Sequence, residues 1–296
     1  MKILLLGLLV IACSCREMAV TKEYVAYLKA TVSWEVEEYE DNIFRGWTME
    51  EAKTLFGLKP LDQPSGLPQQ PEPTVPLPSE FSWKADACDH KPQNQANCGS
   101  CWAFAAVGML SSRCCLHTED KGWLSPQELV SCDRRDNGCN GGSPRYAAEY
   151  AIEMGGIVPD ACFTYKAKAV PCPRTCEDKK NWENSHACRC HGITECKGVK
   201  SMKGCLQTGP ISVGFGVCES FLSYKSGIYA CDCQGQYKGY HAVLLQGYSD
   251  TPKCHWIIRN SWGETWGEKG YFKIECDSCG IDGRLSGANI MCNKVA

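Results

Sequence analysis

The chain has 296 residues, 44% of them hydrophobic and 22% charged, a globular composition that suits one large domain or two ordinary ones. Its formal net charge of -3 offers no basic surface for a phosphate backbone, so no nucleic-acid partner is expected. The 23 cysteines would be a liability as free thiols in a reducing compartment, so disulfides or metal must hold most of them.

"MKILLLGLLVIACSC" sets Lys2 before an apolar run and then small residues, which reads as a signal peptide over 1–15. The run is too short to span a bilayer, and no later stretch predicts a membrane span. Residues 16–59 read as helical. Trp34, Tyr39, Ile43 and Trp47 are spaced so that several can share a helical face. "TMEEAKTLFGL" opens with Thr48 and Glu51 at capping-box spacing and ends at Gly57. A proline-rich connector follows, with seven of the 15 prolines between Pro60 and Pro78. Such a segment is mostly extended and forms no core of its own. A cysteine-free helical stretch, a connector and a cysteine-dense body predict a propeptide over 16–76 and a mature domain over 77–296. Two domains on a linker is the alternative, but forty-odd residues without a disulfide make a poor independent domain.

In the body, "CWAFAAVGMLSSRC", "SPQELVSC" and "SPRYAAEYAIEMGG" predict helices. "GPISVGFGV", "YHAVLLQGY", "CHWIIRNSW" and "GYFKIEC" are short, β-branched and aromatic, and predict strands. Helices first and strands later predict an α+β fold, with a cleft between the two halves as the natural place for a site.

"NCGSCWAF" raises a sharper question, because Cys98 and Cys101 form a C-x-x-C. A thioredoxin-type pair needs a strand before it, and the upstream "CDHKPQNQAN" is polar. A zinc site needs two further ligands and four reduced thiols, which a secreted chain disfavours. The third reading sets one structural cysteine beside one reactive one. "AFAAVGML" is a strong helix, which places Cys101 at or near its N-terminus. The unpaired N–H groups and the helix dipole there favour a thiolate. A thiolate nucleophile needs a base and a group to orient that base. His241, opening the strand "YHAVLLQGY", and Asn260 in "RNSWG" can supply them.

Taken together, "QANCGSCWAF", "GCNGGSP", "GYHAVLLQGY" and "IIRNSWGETWGEKGYFKI" resemble the papain-like cysteine peptidases over roughly residues 77–296. The resemblance implies a two-lobed α+β fold, with a helical left lobe, a β-barrel-like right lobe and the active site between them. It implies Cys101 as nucleophile, His241 as its partner base, the two resting as thiolate and imidazolium, and Asn260 as the group orienting the imidazole. Trp262 would shield that hydrogen bond from water. Gln95 would donate its amide to the oxyanion beside the Cys101 N–H. Gly141 and Gly142 would hydrogen-bond the main chain of protein and peptide substrates.

The resemblance also pairs Cys98 with Cys139, which leaves Cys101 free. From Pro78 onward the chain holds 21 cysteines, the 23 less Cys13 and Cys15, and setting Cys101 aside leaves an even 20. "LPSEFSWKADAC", "CNGGSP" and "AKTLFG" look most like the cathepsin B branch. That branch implies the pairs Cys88–Cys115, Cys132–Cys172 and Cys162–Cys176. Two departures stand out. Only nine residues separate Cys162 from Cys172, none of them His, so the occluding loop of cathepsin B is essentially missing. An open primed side and endopeptidase action follow from that. Counting from Cys279 puts Arg284 where cathepsin B has its S2 glutamate, so arginine at P2 should be repelled.

This reading calls for no cofactor and no metal, and for a monomer made as a secretory-pathway zymogen with its own propeptide as inhibitor. A lysosome-like acidic vacuole and secretion are both open to it. A dead scaffold is disfavoured because Cys101, His241, Asn260 and Gln95 are all present. A thiol oxidoreductase loses ground once Cys98 has another partner. A disulfide-rich matrix protein would not need the four motif blocks.

Overall fold

Two hydrophobic cores organise the chain, one under helices and one under a sheet. The computed structural model describes residues 16–61, 66–118, 122–283, 285 and 288–293. The signal-peptide reading of residues 1–15 and the S2 reading of Arg284 lie outside the described residues.

The N-terminal segment carries α1 (Lys22–Thr31), β1 (Glu35–Val36) and α2 (Met49–Lys53). The capping box of α2 is complete: Thr48 accepts from the Glu51 amide, and the Glu51 carboxylate accepts from the Thr48 amide. After the connector come β2 (Glu80–Ser82) and three helices: α3 (Cys101–Thr118), α4 (Pro126–Cys132) and α5 (Pro144–Glu153). Both α4 and α5 open on Ser-Pro. Ser125 accepts from the Glu128 amide and Ser143 from the Arg145 amide, and proline fills the first helical position, where no N–H is needed. β3 (Ile193–Glu195) and α6 (Val199–Leu206) lead into β4 (Ile211–Val217), β5 (Tyr224–Ser226) and β6 (Ile228–Tyr229). The chain then lays down β7 (Gly239–Ser249), β8 (His255–Arg259), β9 (Tyr271–Glu275) and β10 (Ile290–Cys292).

The main sheet runs β3-β10-β4-β7-β8-β9-β6, with β2 also on β7. It is antiparallel except for the β6–β9 pair. Trp102, Leu110, Leu129 and Ala147 fill the helical core, and Phe215, Phe221, Trp256 and Phe272 fill the sheet core. Ten disulfides tie the body among the described residues, which fits an oxidising compartment. No helix among the described residues is long and apolar enough to cross a membrane.

The helical reading of residues 34–47 is corrected. β1 pairs antiparallel with β5, and turns carry the chain onward to Trp47. The aromatic residues that suggested a helix face are used differently. Trp34 and Phe44 are buried in the sheet core with Leu28 and Met49, and Tyr39, Ile43 and Trp47 pack on its edge. Burial against the body outweighs local periodicity, so the N-terminal segment has no core separate from the domain it covers.

Candidate active site

Cys101 is the first residue of α3, fully buried, and the free cysteine among the described residues. Cys98, three residues earlier, is bonded to Cys139. Cys88–Cys115, Cys132–Cys172 and Cys162–Cys176 are bonded as well. His241 is the third residue of β7, opposite Phe215 of β4, and its ring meets Phe215 edge-on at 5.9 Å. Asn260 follows β8 directly, and its Oδ1 lies 2.8 Å from His241 Nε2. Adjacent antiparallel strands thus set the imidazole and the amide side by side. The Trp262 ring lies 4.9 Å from the imidazole and is itself buried under Phe44, Phe221 and Trp266.

Gln95 is fully buried. Its Nε2 donates to the Cys98 carbonyl at 2.8 Å and to the Leu55 carbonyl at 3.1 Å. Its Oε1 accepts from Ser261 Oγ at 2.7 Å, and its own carbonyl accepts from Tyr165 OH at 2.8 Å. Ser261 and Tyr165 were missed in the sequence. Ser261 could have been found, because it lies inside the "RNSWG" block that supplied Asn260.

The N-terminal segment runs through this site. Gly142 donates to the Gly57 carbonyl at 2.9 Å, Lys59 donates to the Gly142 carbonyl at 2.9 Å, and Leu58 donates to the Tyr240 carbonyl at 3.1 Å. Gly57 and Leu58 form parallel bridges with Tyr240 and Gly142. The approach is so close that a Cβ on Gly57 would fall 2.0 Å from the Gly99 carbonyl oxygen, and one on Gly141 would fall 2.7 Å from that of Gly57. Glycine is obligatory on both sides of the contact.

This cover sets the ionisation of the pair. Burial pushes the Cys101 thiol up to about 11, opposed by backbone groups of Ala242 and Gly57. Burial pushes His241 down to about 4, opposed by Asn260 and the Leu55 backbone. Burial under the segment thus works against the thiolate–imidazolium pair that the resemblance implies, because it removes the solvent a charged pair needs.

A model of the "Papain family cysteine protease" family matches residues 77–288, more than half of the chain. The chain belongs to the papain family of cysteine proteases. Among curated relatives of this papain-family chain, "Probable cysteine protease RDL2" of Arabidopsis thaliana is 37% identical over 205 residues, 67% of this chain and 55% of that protein. "Cathepsin B-like CP3" of Giardia intestinalis is 31% identical over 260 residues, 82% of this chain and 86% of that protein. The first of these matches thus spans about half of its relative's length. The solved structure "proCathepsin B S9 from Trypanosoma congolense" superposes with a TM-score of 0.82 over 94% of this chain and 99% of that one, and at 24% identity it speaks for the fold. Procathepsin L2 from the Tenebrio molitor larval midgut gives 0.76 at 27% identity, over 91% and 87%.

Proposed function

We propose that the protein is a zymogen of a cysteine endopeptidase, with a signal peptide over 1–15, a propeptide over 16–76 and a mature domain over 77–296. The observation that carries the reading is the convergence of Cys101, His241 and Gln95 on one stretch, Leu55 to Gly57, of the covering segment. A peptide backbone already lies across the groups that would cut one.

Once uncovered, Cys101 gives its thiol proton to His241, and the thiolate sulfur attacks the scissile carbonyl carbon, forming a C–S bond as the carbonyl becomes an oxyanion. The Gln95 amide and the Cys101 N–H donate to that oxyanion. The imidazolium of His241 gives its proton to the leaving amine as the C–N bond breaks. His241 then takes a proton from water, which attacks the thioester, releases the acid and restores the thiol. Asn260 holds the imidazole orientation throughout, and Trp262 keeps water from their hydrogen bond. Gly141 and Gly142 take the substrate main chain.

Nine residues between Cys162 and Cys172, without histidine, support a cathepsin B-like branch that lacks the occluding loop and so cuts internally. By the count from Cys279, Arg284 stands where cathepsin B has its S2 glutamate and would disfavour arginine at P2, which a P2 substrate panel tests. Ten disulfides support maturation in the secretory pathway, ending in an acidic vacuole or outside the cell.

The deciding experiment gives processed wild-type protein and its Cys101→Ala variant the same unstructured peptide and identifies the products by mass spectrometry over time. Internal cuts by wild type alone support the proposal. Stepwise loss of C-terminal dipeptides would contradict the missing loop. Absence of Cys101-dependent products would favour a binding scaffold.

A further inference from the structure

Beyond the cleft and the β1–β5 pairing, the covering segment touches the body again about twelve residues after Gly57. Within the connector, Gln69 pairs in parallel with Glu195 of β3. The Glu195 amide donates to the Pro68 carbonyl at 2.9 Å, and the Gln70 amide donates to the Glu195 carbonyl at 2.8 Å. The side-chain amide of Gln69 also donates to the Glu195 carboxylate. β3 is the edge strand of the main sheet, so the connector extends the sheet there.

The other wall of this groove is α6. Ser201 Oγ donates to the Gln70 carbonyl at 2.9 Å, and Lys200 faces Glu72 at 3.5 Å. Pro73 sits over Gly204, where a Cβ would fall 2.8 Å from the proline Cγ. Glycine inside a helix costs about 1 kcal/mol relative to alanine, so the notch is a sacrifice of helix stability that admits the proline ring. The Cys196–Cys205 disulfide bolts the end of β3 to α6 and fixes the width of the groove. Every wall residue belongs to the body, and none to the N-terminal segment.

We infer that the groove between β3 and α6 is a docking site, separate from the active-site cleft, that keeps the propeptide bound after the connector has been cut. Its occupant is residues 66–73 of this chain, an extended strand rich in glutamine and proline. This rests on the proposed boundary between propeptide and mature domain at residues 76 and 77, which leaves the occupant on the propeptide side. Besides the contacts of α1, β1 and Phe44 on the sheet half, the freed propeptide then holds the mature domain through residues 55–59 in the cleft and 66–73 in the groove. A second anchor raises the effective concentration of the first, so inhibition outlasts the cut.

The test uses protease activated from the full chain and two synthetic peptides, one covering residues 48–61 and the other 48–73. The longer peptide should inhibit at least tenfold more tightly. In the Gly204→Leu enzyme that ratio should fall to near one, and because it is taken within each enzyme, any change in basal activity cancels. A Gln69→Ala version of the longer peptide leaves the protease untouched and should lose the same advantage. Equal inhibition by both peptides overturns the inference, as does a ratio that survives both substitutions. Should neither peptide inhibit, the cleft reading of residues 55–59 fails on its own. Hydrogen exchange on the full chain then decides the groove. Gly204→Leu must speed exchange at the Glu195 and Gln70 amides at least tenfold, and unchanged exchange there refutes the docking site.

Discussion

Gln95 donates its side-chain amide to the carbonyl of Leu55 across 3.1 Å, so the proposed oxyanion donor is engaged by the segment that covers the site. The same Nε2 also holds the Cys98 carbonyl, and Ser261 fixes Oε1. The amide is thus oriented before any substrate arrives. Gln95→Ala should lower kcat of the processed protein by about 10²–10³-fold with little change in KM, because the lost bond strengthens only as charge develops on the oxygen. Steady-state kinetics on one peptide substrate check this, and a loss confined to KM would assign Gln95 to ground-state binding.

His241 is held down to about 4 by burial, so the cover should weaken in acid. The covered form binds fewer protons than an open form with an ordinary imidazole near 6.5. Stability of the cover is therefore complete above about pH 6.5 and is lost as pH falls from there toward about 4. The Cys101→Ala background isolates this effect, since no thiol can then exchange its proton with the ring. Protection factors for the Leu58 and Lys59 amides, both bonded across the cleft, should fall through that window. Adding His241→Gln should flatten the profile, and a profile that keeps its slope would place the acid sensitivity in other groups.

How much of this was legible depends on the range of each interaction. The Thr48–Glu51 capping box spans three residues and is written in the sequence. So are the two Ser-Pro helix starts, whose partners are equally local. The path of Trp34 to Trp47 was not, because the strand that captures β1 lies about 190 residues away and no local spacing reports it. The residues of the site were readable because they cluster in four blocks. The effect of burial on their ionisation was not, since it depends on a cover formed by Leu55 and Gly57, which the sequence shows only as the end of a helical stretch. Gln69 and Gly204 were equally silent: one lies in a connector and the other in a helix, and only the fold brings them to one groove.

Arg113 is another residue whose role appears only in three dimensions. It is buried in α3, and its guanidinium donates to the carbonyls of Pro210 at 2.8 Å, Gly209 at 2.9 Å and Cys292 at 3.1 Å. It also reaches the carbonyls of Cys205 and Thr208, around the C-terminal end of α6, where the helix dipole favours a cation. Burial pushes it down to about 9, which leaves it charged at neutral pH. The side chain joins the helical core to the sheet through one fork. Arg113→Met keeps most of the volume but orphans several buried carbonyls, and should cost more than about 3 kcal/mol. Thermal melts of the full chain should show a drop of about 10 °C, while Arg113→Lys should lie between the two. A melt unchanged by Arg113→Met would mean that water replaces the guanidinium.

In the helical half, His186 Nε2 lies 2.9 Å from Glu128 Oε1, and both side chains are almost wholly buried. Glu128 also accepts from Tyr150 OH at 3.0 Å and from the Val158 amide at 2.7 Å. The hydrogen bond to Glu128 raises His186 above its ordinary value, against the effect of burial. A histidine raised on folding stabilises most below its unfolded value near 6.5, and that contribution fades as pH rises through the folded value. His186→Gln should therefore destabilise the protein more at pH 5.5 than at pH 9, by denaturant midpoints at the two values. It keeps a donor near Glu128, so the difference between the pH values reports the charge and not a vacated cavity. Equal losses at both would show that His186 serves Glu128 as a neutral donor, with its proton on Nε2 throughout.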